Sequence, residues 1–372
     1  MAAEILIRSR QWSWDDPVPL DQREVWYRCD FEANGSHYIE FHGLATIFNI
    51  FLDGEHIASS HDMFVPLSCN VNLSSKHRLE IRFRPLTPYL ENKSRARWRP
   101  RMIQPSGLRN VRTTALGRMP GFAPPAPPVG PWRDIELVSH GKVRVLRADL
   151  KPRLEDATGI LDVTIETQGA QNSEATLTCA GETTTLRQTR ADVYEGTLRT
   201  PNVAPWWPHT HGEPHLHQVA AQIGSTKIDL GRTGFRRIEI DRGPDGRGFG
   251  LVINGEPIFC RGAVWTPADP IGLNSSRERL LPLLQQARDA GMNMLRVGGT
   301  LFTRTTLSAI YATNSESLSG TIFSSPISTI RSAIRISAIL SSRKHAPFST
   351  ARKPRPPSRS FAAAAKFFSR SR

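Results

Sequence analysis

Apolar residues recur at every second position from Trp26 to about Ile240, and this spacing commits most of the chain to β-strands. Leu79, Ile81 and Phe83 alternate with Glu80, Arg82 and Arg84, and Leu161, Val163 and Ile165 alternate with Asp162, Thr164 and Glu166. Ala175, Leu177 and Cys179 repeat the pattern. Each run buries one face and wets the other. Asp53-Gly54, after the apolar run Ile47 to Leu52, predicts a tight hairpin, because both residues accept the positive φ that such a turn needs. Strands between Trp26 and about His140, separated by polar turns, predict a jelly-roll-like sandwich. The Pro-rich stretch Pro124 to Pro131 reads as an extended connector leading into Trp132 and a strand over Ile135 to Val138. The alternation from about Lys142 to Ile240 suits an immunoglobulin-like sandwich.

The grammar then changes. Gly243 to Gly250 reads as a turn between domains, and Glu256 to Val264 as a strand. Ser275-x-x-Glu278 is a capping box that opens a helix, with Leu280, Leu281, Leu283, Leu284 and Ala287 on its apolar side and Gly291 closing it. Met292 to Val297 is then a short buried strand. This is one βαβ unit of a parallel sheet or barrel, too little to close a barrel by itself.

A second seam follows Phe302. The remainder, Thr303 to Arg372, carries 12 Lys and Arg against the single acid Glu316, so +11 of the formal +14 lies there. It is rich in Ser, Ala, Pro and Arg and has neither helical nor alternating apolar spacing, which predicts a disordered basic tail. A nucleic-acid arm is the functional alternative, but the charges lack the interleaved aromatics of a single-strand binder, so no nucleic-acid partner is expected. Ile5-Leu6-Ile7 is too short for a signal-peptide core and no later stretch reaches the length of a membrane span, which predicts a cytoplasmic protein with no membrane partner. Cys29, Cys69, Cys179 and Cys260 form no Cys-x-x-Cys pair and read as free thiols.

Five motifs carry a resemblance to a known family. They are Val129-Gly130-Pro131-Trp132-Arg133, Trp206-Trp207-Pro208-His209-Thr210-His211-Gly212, and Ile253-Asn254-Gly255-Glu256-Pro257-Ile258-Phe259. Arg261-Gly262-Ala263-Val264-Trp265-Thr266-Pro267-Ala268-Asp269 and Asp289-Ala290-Gly291-Met292-Asn293-Met294-Leu295-Arg296-Val297 complete the set. In this order they resemble family 2 glycoside hydrolases, with wording nearest the β-mannosidase branch. The resemblance implies an N-terminal sugar-binding-type sandwich over 1–141, an immunoglobulin-like sandwich over 142–241, and the truncated start of a (β/α)8 barrel over 242–302. Residues 303–372 fall outside it.

The genetic code supplies a reading of that last segment. When each codon is rebuilt from the third base of one codon and the first two of the next, permitted choices from Phe302 to Arg331 spell Y-E-N-D-A-F-x-D-L-C-D-E-L-G-I-L-V-W-H-D-F-L-F-A-N-F-D-Y-P. That string resembles the family's next barrel helix and strand. Phe361 to Lys366 can yield C-G-G-S-E-V in the same frame, similar to the segment that holds the family's acid/base Glu. The expectation is that the tail is an out-of-frame translation of a barrel gene.

A retaining glycosidase uses two carboxyl groups roughly 5 to 5.5 Å apart. By resemblance both come from later barrel strands, so no catalytic residue is assigned and the chain as written is expected to be inactive. The substrate-side floor is expected to include Asp269, hydrogen-bonding sugar hydroxyls, Trp265 as an apolar wall, and Arg296 at a strand end. The plainer alternatives are Trp265 in a core, Asp269 as a turn residue and Arg296 paired with a buried carboxylate. Where the family usually has Trp after the strand-end Arg-Val, this chain has Gly298.

His209, His211, His215 and His217 are spaced closely enough for a metal site, but the similar stretch in the family is a structural loop, so no metal and no cofactor are expected. Arg95 to Arg101, with Trp98, reads as a loop that packs its Trp and exposes its cations. The implied partner is a carbohydrate, a β-mannoside or related glycan. A non-catalytic carbohydrate-binding β-sandwich protein is the alternative.

Overall fold

The computed structural model describes residues 1–13, 15–91, 106–118, 125–140, 143–170, 172–273, 276–297 and the pair 364–365. The fold is mostly β, with two sandwiches followed by a βαβ unit.

In the first sandwich, strand Val25–Glu32 pairs antiparallel with Lys76–Phe83, which pairs with Phe48–Leu52 and through it with Glu55–Ser60. The opposing sheet runs Leu67–Leu73, Gly35–Phe41, Ile135–Ser139. The alternation in the sequence is the reason: Leu79, Ile81 and Phe83 are buried, and they meet Val25, Tyr27, Phe41, Phe48 and Ile50 in one apolar cluster. Asp53 and Gly54, both at positive φ, close the hairpin between Phe48–Leu52 and Glu55–Ser60. Asp53 does more than turn: its carboxylate accepts from the Arg78 amide at 2.7 Å and from His77 Nδ1 at 2.6 Å, tying the turn to the neighbouring strand. The helix Ala2–Arg8 carries the apolar run at the N-terminus, with Ala2, Ala3 and Leu6 buried in the same core.

The second sandwich is built from seven strands, Arg144–Glu155 to Thr226–Thr233. Strand Glu182–Arg190 passes between its layers. Leu186 is the last residue paired with Ala175–Cys179, Arg187 the first paired with Val193–Thr200, and the register shifts between Gln188 and Arg190. Leu161, Val163, Ile165, Leu177 and Cys179 are all buried, as their spacing requires, around Tyr194, Val219 and Phe235.

Beyond it, Ile238–Asp241, Gly250–Ile253 and Glu256–Ile258 form a small antiparallel sheet, with the Gly243 to Gly250 turn inside it. The strand expected from Glu256 to Val264 is two strands: the ladder stops at Ile258 and a separate strand, Gly262–Trp265, pairs parallel with Met294–Val297. A methyl on Gly262 would lie 1.7 Å from the Met294 carbonyl oxygen, so the parallel pair approaches too closely for any side chain there. The connecting helix spans Arg277–Asp289. Its N-cap is Ser276, and Ser275 of the expected capping box lies outside the described residues. At the other end Gly291 takes positive φ while its amide bonds Arg288 O and the Met292 amide bonds Ala287 O, the Schellman pattern that the glycine predicts. Leu280 and Leu284 are buried against Leu295, with Leu281 and Ala287 beside them. Leu283 is 38% exposed and does not share that face.

The Arg95 to Arg101 stretch, Gly298 and the tail expectations for 303–372, including Glu316, lie outside the described residues apart from Ala364–Ala365. That pair adds antiparallel to Tyr27 and Arg28 at the free edge of the first sheet.

Candidate functional site

The three candidate residues sit on the βαβ unit. Because the ladder is parallel and in register, Trp265 faces Val297 and Arg296 faces Val264. Successive side chains alternate between faces, so Trp265 and Arg296 project from opposite sides of the ribbon. Trp265 packs with Leu280, Leu284 and Leu295 on the helix side, while Arg296 shares the exposed, helix-free face with Val264, itself 54% exposed. The structure does not gather the three residues around one point.

Asp269 anchors the loop after strand Gly262–Trp265. Its Oδ1 accepts from the amides of Ile271, at 3.1 Å, and Gly272, at 2.8 Å, and its Oδ2 lies 2.8 Å from Arg279 Nη1. The turn geometry of the plainer alternative is therefore present, whatever else the carboxylate does. The loop carries Ile271 onto the core of the first sandwich and Leu273 into a cluster with Met1, Ala45, Met63, Leu116 and Trp132. Glu4, on the first helix, reaches the same place: a methyl on Gly272 would lie 2.6 Å from Asp269 Oδ2 and 3.1 Å from Glu4 Oε2. The two carboxylates are balanced by Arg279, by Arg8, whose Nη2 is 2.5 Å from Glu4, and by the Met1 amine at 3.5 Å. Burial lowers that amine's pKa, against the opposing pull of Glu4 and Asp269.

Trp132, which follows the Pro-rich connector, is the pivot of this junction. Its Nε1 donates to Met63 O at 2.9 Å, and Arg133 stacks on its ring with Cζ 4.2 Å from the centroid. Burial brings the Arg133 pKa down to about 10. Asp21 and Arg118, which the sequence did not single out, hold the adjoining loops through a bidentate pair at 2.6 and 2.8 Å, with Arg118 also donating to Thr114 O and Pro128 O.

The histidine-rich loop serves packing. His209 Nε2 donates to Met292 O at 2.9 Å, His211 Nδ1 shares a hydrogen bond with Thr210 Oγ1 at 2.8 Å, and the His217 ring lies tilted against Phe235. Among the described residues no group of three His, Cys, Asp or Glu is arranged to hold a metal ion. No described helix is long and apolar enough to cross a membrane. Cys29, Cys69, Cys179 and Cys260 are all free thiols.

Comparison with known proteins adds to this geometry. Residues 10–133 match the glycosyl hydrolase 2 galactose-binding domain-like family. Over those residues the chain is similar to the galactose-binding-like N-terminal domain of family 2 glycosyl hydrolases. It is 25% identical over 294 residues to a β-mannosidase of Rattus norvegicus, covering 70% of this chain and 33% of the relative. It is 26% identical over 316 residues to β-mannosidase B of Emericella nidulans, covering 77% of this chain and 36% of the relative. The chain thus spans about a third of the length of these β-mannosidase relatives. In fold, the crystal structure of a β-D-mannosidase from Dictyoglomus thermophilum superposes with a TM-score of 0.73 at 20% identity, over 86% of this chain and 43% of that one.

Proposed function

We propose that the chain is the front portion of a β-mannosidase-type glycoside hydrolase, whose complete form hydrolyses terminal β-mannosides with two carboxylates and no cofactor. The observation that carries this reading is the family 2 match over 10–133 in a chain similar to several β-mannosidases over three quarters of its length. Of the candidate residues, Arg296 has the better position for sugar contact, exposed on the face of the ribbon away from the helix, where a barrel keeps its interior. Asp269 would act by shaping the loop beside it.

Retaining hydrolysis needs one carboxyl group to donate a proton and a second to attack the anomeric carbon. Asp269, in the loop after strand Gly262–Trp265, is occupied by two amides and Arg279, which suits neither task. The 372-residue chain is therefore expected not to turn over substrate. Purified protein assayed on an aryl β-mannoside should release no phenol above background, and clear turnover would overturn this expectation. The out-of-frame reading of 303–372 belongs to the same proposal; nucleotide sequence across codons 295 to 372, translated in three frames, should reveal the next barrel strand in a second frame.

The second reading is a non-catalytic carbohydrate-binding protein, favoured by the galactose-binding-like character of residues 10–133. Saturable binding of methyl β-mannoside or methyl β-galactoside by a chain devoid of turnover would support it.

A further inference from the structure

We propose that Asn293 is a positioning residue, through which the loop Trp206 to Gly212 of the second sandwich fixes where strand Met294–Val297 begins and hence where Arg296 points. The inference rests on the reading of Arg296 as a sugar contact only for its functional meaning; the mechanical claim stands on the contacts themselves.

Asn293 is 3% exposed and spends three of its four hydrogen-bonding positions at one junction. Its Oδ1 accepts from the Arg261 amide at 2.9 Å. Its Nδ2 donates to Phe259 O and to Thr210 Oγ1, both at 3.1 Å. The backbone amides of Asn293 and Met294 donate to Arg261 O at 2.9 and 3.1 Å. The side chain therefore extends the parallel ladder by one rung below Gly262, along a stretch, Phe259 to Arg261, that forms no strand of its own.

The rung is clamped from outside. Thr210 Oγ1 accepts from Asn293 Nδ2 and is hydrogen-bonded to His211 Nδ1, while His209 Nε2 donates to the carbonyl of Met292 next door. The clamp is itself rigid. Trp206 is buried against Ile253 and Ile258, Asn254 Nδ2 donates to Trp206 O at 3.1 Å, and the His211 and Gly212 amides both return to Pro208 O. A one-residue slip of Met294–Val297 would turn Leu295 out of its core and Arg296 into it. A buried amide that reads both the sandwich and the entering strand excludes that slip.

The test is amide hydrogen exchange of the full chain, which needs no sugar, so its failure and the failure of the glycosidase reading are separable. Thr210→Val keeps the loop's shape and removes the hydroxyl, and peptides covering 262–265 and 294–297 should exchange about fivefold faster, the worth of one ordinary hydrogen bond. Thr210→Ser should restore the wild-type rate. Asn293→Asp, which loses both donations, should exceed the Thr210→Val effect. Peptides from 161–165 should be unchanged in every variant. Wild-type exchange in Thr210→Val, no rescue by Ser, or equal acceleration in the 161–165 peptides would each overturn the proposal.

Discussion

Replacing Asp21 by Asn should strongly destabilise the first sandwich. Arg118 is 3% exposed at its side chain, and Asp21, 18% exposed, is its only carboxylate among the ion pairs of the described residues. The pair is bidentate, and the guanidinium also donates to Thr114 O at 3.0 Å and Pro128 O at 3.3 Å. Asn keeps the shape but removes the charge and turns one acceptor into a donor aimed at the guanidinium. Breaking a buried pair by removing one partner costs about 3–5 kcal/mol, since the other charge is left uncompensated. The upper half of that range applies here, because Arg118 cannot rotate to water without releasing both carbonyls.

Arg118→Met should cost less, about 2–3 kcal/mol, because the stranded group is then the more exposed carboxylate and the methionine stem fills most of the volume. The double variant Asp21→Asn with Arg118→Met should recover part of the loss. Equilibrium urea unfolding of the first sandwich, followed by exchange in peptides from 76–83 and 135–139, reads all three. The order is the diagnostic. If Arg118→Met proves as damaging as Asp21→Asn, or the double variant is the additive sum, the stranded-charge argument is wrong and the pair matters only as packing.

Gly262→Ala puts a methyl into the Met294 carbonyl, a clash with backbone that cannot rotate aside, and should cost about 3 kcal/mol; exchange across 294–297 at the wild-type rate would refute it. His217 has its pKa lowered, first by burial and further by His215, against a bond to the Ala204 carbonyl. The unfolded chain therefore binds that proton more readily, so stability from the neutral ring is present at a pH above the ordinary histidine pKa and is lost at a pH below it. His217→Gln should flatten that slope in urea titrations above and below that pKa, and an unchanged slope would discount the residue. Asp269→Ala should loosen the loop to Leu273 by about 2–3 kcal/mol through two lost amide bonds and a lost ion pair, while Asp269→Asn, which keeps Oδ1, should cost about 1 kcal/mol. Equal losses in exchange at 271–273 would mean that Oδ1 is not the anchor.

The chain's linear order dictated whatever depends on near neighbours. Period-two spacing made the strands, Asp53-Gly54 made its hairpin and Gly291 ended its helix, since each is a matter of backbone dihedral or of which face a side chain takes. Tertiary structure decided the rest. Leu283 and Leu284 look alike in the sequence, yet only Leu284 finds Leu295. Trp265 and Arg296 belong to separate motifs that the resemblance joins in one sugar-facing floor, yet they take opposite faces, because register between strands distant in sequence is fixed by pairing. Asn293 gained its role from Thr210, 83 positions earlier, and Arg118 from Asp21, 97 positions earlier. Such partners carry no local signature: a hydrogen bond at 3 Å constrains atoms in space, and only the folded backbone brings those atoms within reach.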